Sequence, residues 1–258
     1  LMIVRRDSGS IEHRHFYDIG EYLRPGDLLV ANQTRVIPAR VQARKVPSGG
    51  RVELLLLARR GDEVWEALVK GRKVHVGQEL ALGADPAGAV VGRVEAITPA
   101  GGRLIRFEQP VEAYLQACGT VPLPPYIHTP LNDPERYQTV YARIEGSVAA
   151  PTAGLHFTPE LVARTRALGV EWASVLLHIG LDTFRPVSEE RVEKHQIHRE
   201  YCQLTAETAQ QINRAVSEGR RVIAVGTTTV RVVETAARES ATGVCPWEGS
   251  TDLYIYPG

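Results

Sequence analysis

Between residues 35 and 107 the chain is cut into short β-branched runs, at 36–45, 51–58, 64–69, 79–82, 90–97 and 103–107, each separated from the next by a Gly-containing turn. Runs this short have no room for a helical period. Six of them in a row bury a common face and hide their edges best by closing on themselves, so a small antiparallel barrel is expected. On either side the texture changes. Residues 1–6 and 11–16 flank Asp7-Ser8-Gly9-Ser10, a hairpin by turn chemistry, and 27–31 is a further apolar strand. Beyond the barrel, Val121-Pro122-Leu123-Pro124-Pro125-Tyr126 is a stiff connector, because each proline fixes φ and disfavours helix in the residue before it.

After the connector, helices and strands alternate. Thr158 is an N-cap with Pro159 at the first helical position and Glu160 beside it, and the helix runs to Gly169. A strand follows at 170–179, Thr205 caps a helix ending near Gly219, 221–225 is a buried strand, and 228–239 reads as a third helix. Such alternation predicts an α/β domain with a mostly parallel sheet. The fold class expected is therefore α/β (α+β by content). A discontinuous α/β domain made of residues 1–34 and 121–258 receives residues 35–120 as an inserted small antiparallel β-barrel.

Composition narrows the function. At 258 residues the chain is long enough for two domains of ordinary size, and 43% hydrophobic with 23% charged residues is that of a globular protein. Thirty basic and thirty acidic side chains cancel, so an RNA partner would be met by a local patch. Arg35, Arg40, Arg44, Lys45 and Arg51 offer one, with a charged barrel rim as the alternative. Cys118, Cys202 and Cys245 are odd in number and lack CxxC spacing, which fits a reducing, cytoplasmic setting without disulfides or a zinc ribbon. No apolar run approaches the ~20 residues of a membrane helix, so no membrane is expected. Opening in a strand at Leu1 and stopping at Tyr256-Pro257-Gly258 after another, the sequence reads as continuing at both ends.

Three segments carry candidate chemistry. Val222-Ile-Ala-Val-Gly226-Thr227-Thr228-Thr229-Val-Arg231 is a strand, a glycine turn and hydroxyl residues opening a helix. The free N–H groups and dipole of a helix start suit a carboxylate or phosphate, although neither GxxxxGK[ST] nor GxGxxG is present and plain capping is the alternative. His178-Ile-Gly180-Leu-Asp182-Thr183-Phe-Arg185-Pro186 emerges at a strand's carboxyl end, where open α/β sheets bind ligands. The competing explanation is a self-satisfied loop with His178 as a core histidine. Ser147-Val-Ala-Ala-Pro151-Thr152-Ala-Gly154-Leu-His156-Phe157 is irregular, and its small residues allow close approach of a ligand or simply a tight loop. His195-x-x-His198-x-x-x-Cys202 would align three zinc donors on a helical face, but Glu193, Lys194, Arg199 and Glu200 read as a solvated face, and no metal site is assigned.

These segments occur in order with Arg24-Pro-Gly-Asp-Leu-Leu-Val-Ala-Asn32-Gln-Thr34-Arg35-Val-Ile-Pro38-Ala-Arg40, Pro122-Leu-Pro-Pro-Tyr126-Ile, Arg136-Tyr-Gln-Thr-Val-Tyr141-Ala, residues 195–201 and Asp252-Leu-Tyr-Ile-Tyr-Pro-Gly258. The set, spanning essentially the whole chain, resembles the S-adenosylmethionine:tRNA ribosyltransferase-isomerase family of queuosine biosynthesis. The family pattern usually has Asp where Gln33 stands and Gly where Asp182 stands, so the resemblance assigns those two no role. Its members start earlier and continue past position 258.

The resemblance implies transfer of the ribosyl part of S-adenosylmethionine to the aminomethyl group of 7-aminomethyl-7-deazaguanine at the tRNA wobble position. Adenine and methionine leave and epoxyqueuosine remains. S-Adenosylmethionine is consumed as a substrate, so no cofactor and no metal are expected. The partners are the precursor tRNA and S-adenosylmethionine, and a monomer is expected. This chemistry asks for a base near the C5′ protons that the sulfonium acidifies, a proton donor for adenine and groups that orient the sugar. His156 and His178 are the catalytic candidates, as base or acid, because imidazole titrates near working pH. Gly226, Thr227, Thr228, Thr229 and Arg231 are candidates for the methionine carboxylate. Thr152, Thr183 and Arg185 are candidates for ribose hydroxyls or the substrate base, and Arg35 and Arg40 for tRNA phosphates. The rival readings are a non-catalytic RNA-binding protein working through the barrel, and another S-adenosylmethionine-dependent RNA transferase.

Overall fold

A computed structural model of the chain describes residues 1–83, 90–99, 101–124, 126–127, 129, 131–180, 197 and 199–256. The amino-terminal hairpin pairs β1 (Met2–Val4) with β2 (Ile11–His13). β3 (Leu28–Asn32), buried along its whole length, leads into β4 (Thr34–Val36). Then come β5 (Arg40–Val46), β6 (Arg51–Gly61), β7 (Val64–Lys70), β8 (Glu79–Leu82), β9 (Val91–Ile97) and β10 (Arg103–Phe107). These close into a barrel in the order β10-β7-β6-β5-β8-β9, antiparallel throughout. Side chains alternate across its wall as a pleated strand requires. Val52, Leu54 and Leu56 of β6 point inward and join Val41, Leu80 and Phe107 in one apolar core, each worth about 1.5–3 kcal/mol by leaving water.

The run 36–45, expected as one barrel strand, is two. Thr34 to Val36 pair in parallel with β11 (Ile144–Ser147), outside the barrel. The chain then bends at Ile37 and Pro38, where the Ala39 N–H donates to the Ile37 carbonyl at 2.7 Å, and enters the barrel at Arg40. Proline has no N–H for a ladder, so it ends one strand before the next begins. α1 (Glu112–Cys118) follows the barrel.

The second sheet adds β12 (Glu171–Leu177), β13 (Glu200–Leu204), β14 (Val222–Val225) and β15 (Trp247–Thr251) to β3, in the order β14-β3-β12-β13-β15. β3 is parallel to both neighbours, whereas β13 runs antiparallel to β12 and to β15. The sheet is mixed: one strand opposes the other four, a reversal that helix–strand alternation does not reveal. β13 carries Cys202, fully buried in the apolar core. The helical face proposed through Cys202 is thus a strand, and His195 and His198 lie outside the described residues. α2 (Pro159–Ala167) and α3 (Ala206–Ser217) start as their caps dictate, with the Thr158 and Thr205 hydroxyls each accepting an N–H at 3.2 Å, from Leu161 and Thr208. α4 (Thr227–Arg238) begins one residue earlier than the sequence pattern places it. Ala209, Ile212, Val232 and Ala236 of α3 and α4 pack with Leu28, Val30 and Val175 of the sheet. Among the described residues no helix is long and apolar enough to cross a membrane.

Candidate active site

β3, β12 and β14 run parallel, so Asn32, Leu177 and Val225 end at the same edge of the sheet. Asn32 organises that edge. Its Oδ1 accepts the N–H groups of Thr34 and Leu177, both at 3.1 Å, and its Nδ2 donates to the Leu177 carbonyl at 3.0 Å. A buried carboxamide thereby does the work of a ladder at the point where β3 stops and the chain turns into β4. The turn brings Thr34 Oγ1 to 3.0 Å from His178 Nδ1 and 2.7 Å from Ser147 Oγ. Ser147 Oγ accepts the Ile179 N–H at 2.8 Å, and the Val148 N–H donates to the Ile179 carbonyl at 2.9 Å.

The His178 imidazole is held tightly in this setting. Its ring stacks with Tyr201 at a centroid distance of 5.7 Å. Gly146, at φ +145°, approaches so closely that a Cβ there would sit 2.6–2.8 Å from three ring atoms; only glycine combines that φ with that contact. Burial pushes the His178 pKa below its ordinary value, leaving the ring neutral at pH 7.

The start of α4 lies alongside. Gly226 caps it at φ +84° without a side-chain bond, and a Cβ there would come within 3.2 Å of the Ala153 methyl, which places residues 152–156 against this turn. The Thr229 hydroxyl is occupied, donating to the Val225 carbonyl at 2.9 Å, while the buried Thr228 hydroxyl has no partner among the described residues. Thr227 is exposed. The first amides of a helix have no intrahelical acceptor, so this turn offers donors to an anion.

Arg231 lies one turn further on. It is buried, its Nη1 donates to Glu200 Oε2, and its Nη2 donates to the Thr251 carbonyl at 3.1 Å. Glu200 Oε1 accepts the Gly180 N–H at 2.7 Å. Burial pushes the Glu200 carboxyl up, against the pull of Arg231 and the Gly180 amide. A guanidinium committed to this clamp ties α4 to β13, β15 and the end of β12.

Thr152 and His156 bound an exposed 3-10 turn. His156 Nδ1 lies 3.1 Å from the Ala153 carbonyl, and its ring packs at 5.0 Å on Phe16, at the edge of a cluster that includes Phe157, Tyr141 and Trp172. Among the described residues His156 and His178 share no hydrogen-bond or ring partner. Arg35 pairs with the exposed Glu135, and Arg40 Nη1 is 3.9 Å from Glu53. Thr183 and Arg185, with Asp182, lie outside the described residues. Asn32, Thr34, Ser147 and Glu200 join this candidate site without a role having been assigned to any of them from the sequence. Asn32 closes the apolar β3 and Thr34 opens β4, and both lie in the 24–40 run that carries the family resemblance. Among the described residues no three His, Cys, Asp or Glu side chains are grouped as a metal site.

A family model described as queuosine biosynthesis protein matches residues 1–258. The chain is 52% identical over 263 residues to the S-adenosylmethionine:tRNA ribosyltransferase-isomerase of Moorella thermoacetica, a match spanning 100% of this chain and 75% of that protein. It is 49% identical over 261 residues to the protein of the same name from Desulforamulus reducens, again with 75% of that protein covered. Among solved structures it is similar to an S-adenosylmethionine tRNA ribosyltransferase from Thermotoga maritima, with 34% identity over 99% of this chain and 71% of that one and a TM-score of 0.44.

Proposed function

The chain belongs to the queuosine biosynthesis protein family and is a tRNA-modifying transferase-isomerase acting with S-adenosylmethionine, and we propose that its reaction takes place at the shared carboxyl edge of β3, β12 and β14. There the ribosyl group of S-adenosylmethionine passes to the aminomethyl group of 7-aminomethyl-7-deazaguanine in tRNA, and adenine and methionine leave. The observation that supports this location is convergence. Ser147 bonds to Ile179, Ala153 packs on Gly226, and Glu200 joins Gly180 to Arg231, so three segments distant in sequence meet at one sheet edge.

Each part of the reaction has a group to serve it. The methionine carboxylate is matched by the opening amides of α4 at Gly226, Thr227 and Thr228, where the helix dipole favours negative charge. Thr152, with Thr183 and Arg185, supplies polar contacts to the sugar or the deazaguanine. Proton transfer falls to His178, neutral and rigidly held, and to His156. Arg35 and Arg40 take tRNA phosphates, which position the substrate without reading its sequence. S-Adenosylmethionine is consumed, no cofactor is required, and the protein works as a cytoplasmic monomer.

The test is mass spectrometry of adenine and of the modified nucleoside after full-length protein is incubated with S-adenosylmethionine and precursor tRNA. Adenine together with epoxyqueuosine is the expected result. His178→Ala should lower turnover by about 10²–10⁴ while calorimetric S-adenosylmethionine binding survives. Absence of adenine would sink the transferase reading, methylated RNA would replace it with another transfer, and wild-type turnover by both His156→Ala and His178→Ala would remove the histidines from the mechanism.

A further inference from the structure

Two buried hydroxyls stand in series behind His178, and we infer that Thr34 and Ser147 form a hydroxyl relay that holds His178 protonated on Nε2. His178 then presents a hydrogen-bond donor to the transferase site, while His156, held in the opposite tautomer, presents an acceptor. The inference rests on the placement of His178 in that site and goes beyond it by dividing the acid and base roles between the two histidines.

Thr34 and Ser147 are both fully buried, so neither hydroxyl turns to solvent. Ser147 Oγ accepts from the Ile179 amide, a donor that cannot be reversed. Its own hydrogen then needs an acceptor, and the Thr34 oxygen, at 2.7 Å, is the one the structure provides. With the Thr34 oxygen accepting from Ser147, the Thr34 hydrogen goes to His178 Nδ1 at 3.0 Å. Nδ1 is therefore the unprotonated nitrogen, and a neutral imidazole with an accepting Nδ1 carries its hydrogen on Nε2.

The opposite arrangement fails the same count. A hydrogen on Nδ1 would donate to Thr34 and Thr34 to Ser147, leaving the buried Ser147 hydrogen with no acceptor among the described residues. A stranded buried donor of this kind shifts the balance by roughly tenfold to a hundredfold. Protonating the ring to imidazolium would force the same reversal, so the relay works with burial in keeping the ring neutral.

His156 yields the reverse result by the same rule. Its Nδ1 lies 3.1 Å from the Ala153 carbonyl, which only accepts, so Nδ1 carries a hydrogen and, in the neutral ring, the lone pair is on Nε2. In this assignment His178 donates a hydrogen bond from its neutral Nε2–H to the departing adenine, without giving up the proton, and the C5′ proton passes to the Nε2 lone pair of neutral His156, which becomes imidazolium. Thr34 and Ser147 are positioning residues in this scheme, acting only through His178.

The decisive experiment is a two-bond ¹H–¹⁵N correlation spectrum of ¹⁵N-histidine-labelled full-length protein at pH 7.5, with the two rings assigned by His178→Gln and His156→Gln. The expected pattern is Nε2-protonated for His178 and Nδ1-protonated for His156; a His178 ring protonated on Nδ1 overturns the relay. Thr34→Val keeps the shape and removes the hydroxyl. It should spread His178 over both tautomers and lower kcat about tenfold or more with little change in KM for S-adenosylmethionine. Thr34→Ser should restore the spectrum and the rate. An unchanged tautomer in Thr34→Val overturns the inference even if activity falls. Should the spectrum be as expected while His178→Gln turns over normally, the relay stands and the placement of His178 in the transferase site is what fails.

Discussion

The barrel and the sheet edge are built from the same kinds of strand but bury opposite chemistry. No polar or charged residue of β5 to β10 is buried, whereas Asn32, Thr34, Ser147, Thr229, Arg231 and Thr251 are all buried in or beside the second sheet. An apolar interior makes little demand on partners, the buried Arg40 Nε and Trp65 Nε1 apart, so volume and alternation do most to specify the barrel. Each buried polar group at the sheet edge must find a partner of fixed geometry or cost stability, which orders the loops that carry it. The difference marks the barrel as scaffold and the sheet edge as the place where the fold spends stability on position.

Arg231→Met strikes that contrast hardest. It leaves Glu200 buried without its cation, a change that costs about 3–5 kcal/mol when a buried pair loses one member. The sign of its pH dependence follows from burial, which already pushes the Glu200 carboxyl up. Without Arg231 the folded-state value rises further, folding takes up a proton, and the deficit shrinks as pH is lowered from 8 to about 5. Urea midpoints across that range test it, and a deficit independent of pH would show that the clamp is not ionic. In the barrel, Leu54→Ala should cost about 2–5 kcal/mol by cavity formation yet leave kcat for adenine release within about twofold below the melting transition. A large loss of kcat would end the description of the barrel as scaffold.

Polar burial also occurs at the opposite end of β3, and there it is structural. Asp27 accepts the Arg24 amide at 2.6 Å and Arg221 Nε at 2.8 Å. Burial alone would raise its carboxyl, but the Arg221 and Arg24 hydrogen bonds outweigh it and bring it below the ordinary 3.8. A lowered folded-state value means that the contribution is complete above about pH 4 and fades as pH falls through that value. Asp27→Asn should lose about 1–3 kcal/mol at pH 7, flatten the acid limb of the stability curve and leave kcat unchanged.

How far the sequence foretold this molecule follows the same division. The barrel was legible because alternation and turn glycines are local signals; β6 runs on to Gly61, past the expected 58, and the run read as one strand breaks at Pro38, a residue that itself announces a break. Caps at Thr158 and Thr205 were legible for the same reason. The antiparallel β13 was not, since a strand's direction depends on partners far along the chain. In the candidate site, His178, Gly226 and His156 stand out in the sequence by residue type. The hydroxyls of Thr34 and Ser147 do not, because they acquire meaning only when residues more than 100 apart in sequence come within 3 Å. Arg231 was visible as a cation but its commitment to Glu200 was not, for the same reason of distance.

The smallest expected effect separates a solvated charge from an RNA contact on the boundary between the two regions. Arg35 sits in β4, between the sheet edge and the barrel, paired with an exposed Glu135. Such pairs contribute about 0–1 kcal/mol to stability, so Arg35→Ala should barely move the melting curve. A phosphate contact has a different signature: the slope of log affinity for tRNA against log salt should fall by about 1 in magnitude, uniformly across tRNA sequences. Glu135→Gln frees the guanidinium and should strengthen tRNA binding at low salt. Unaltered salt slopes in both variants would make Arg35 part of the solvated rim and confine tRNA contacts to other surfaces.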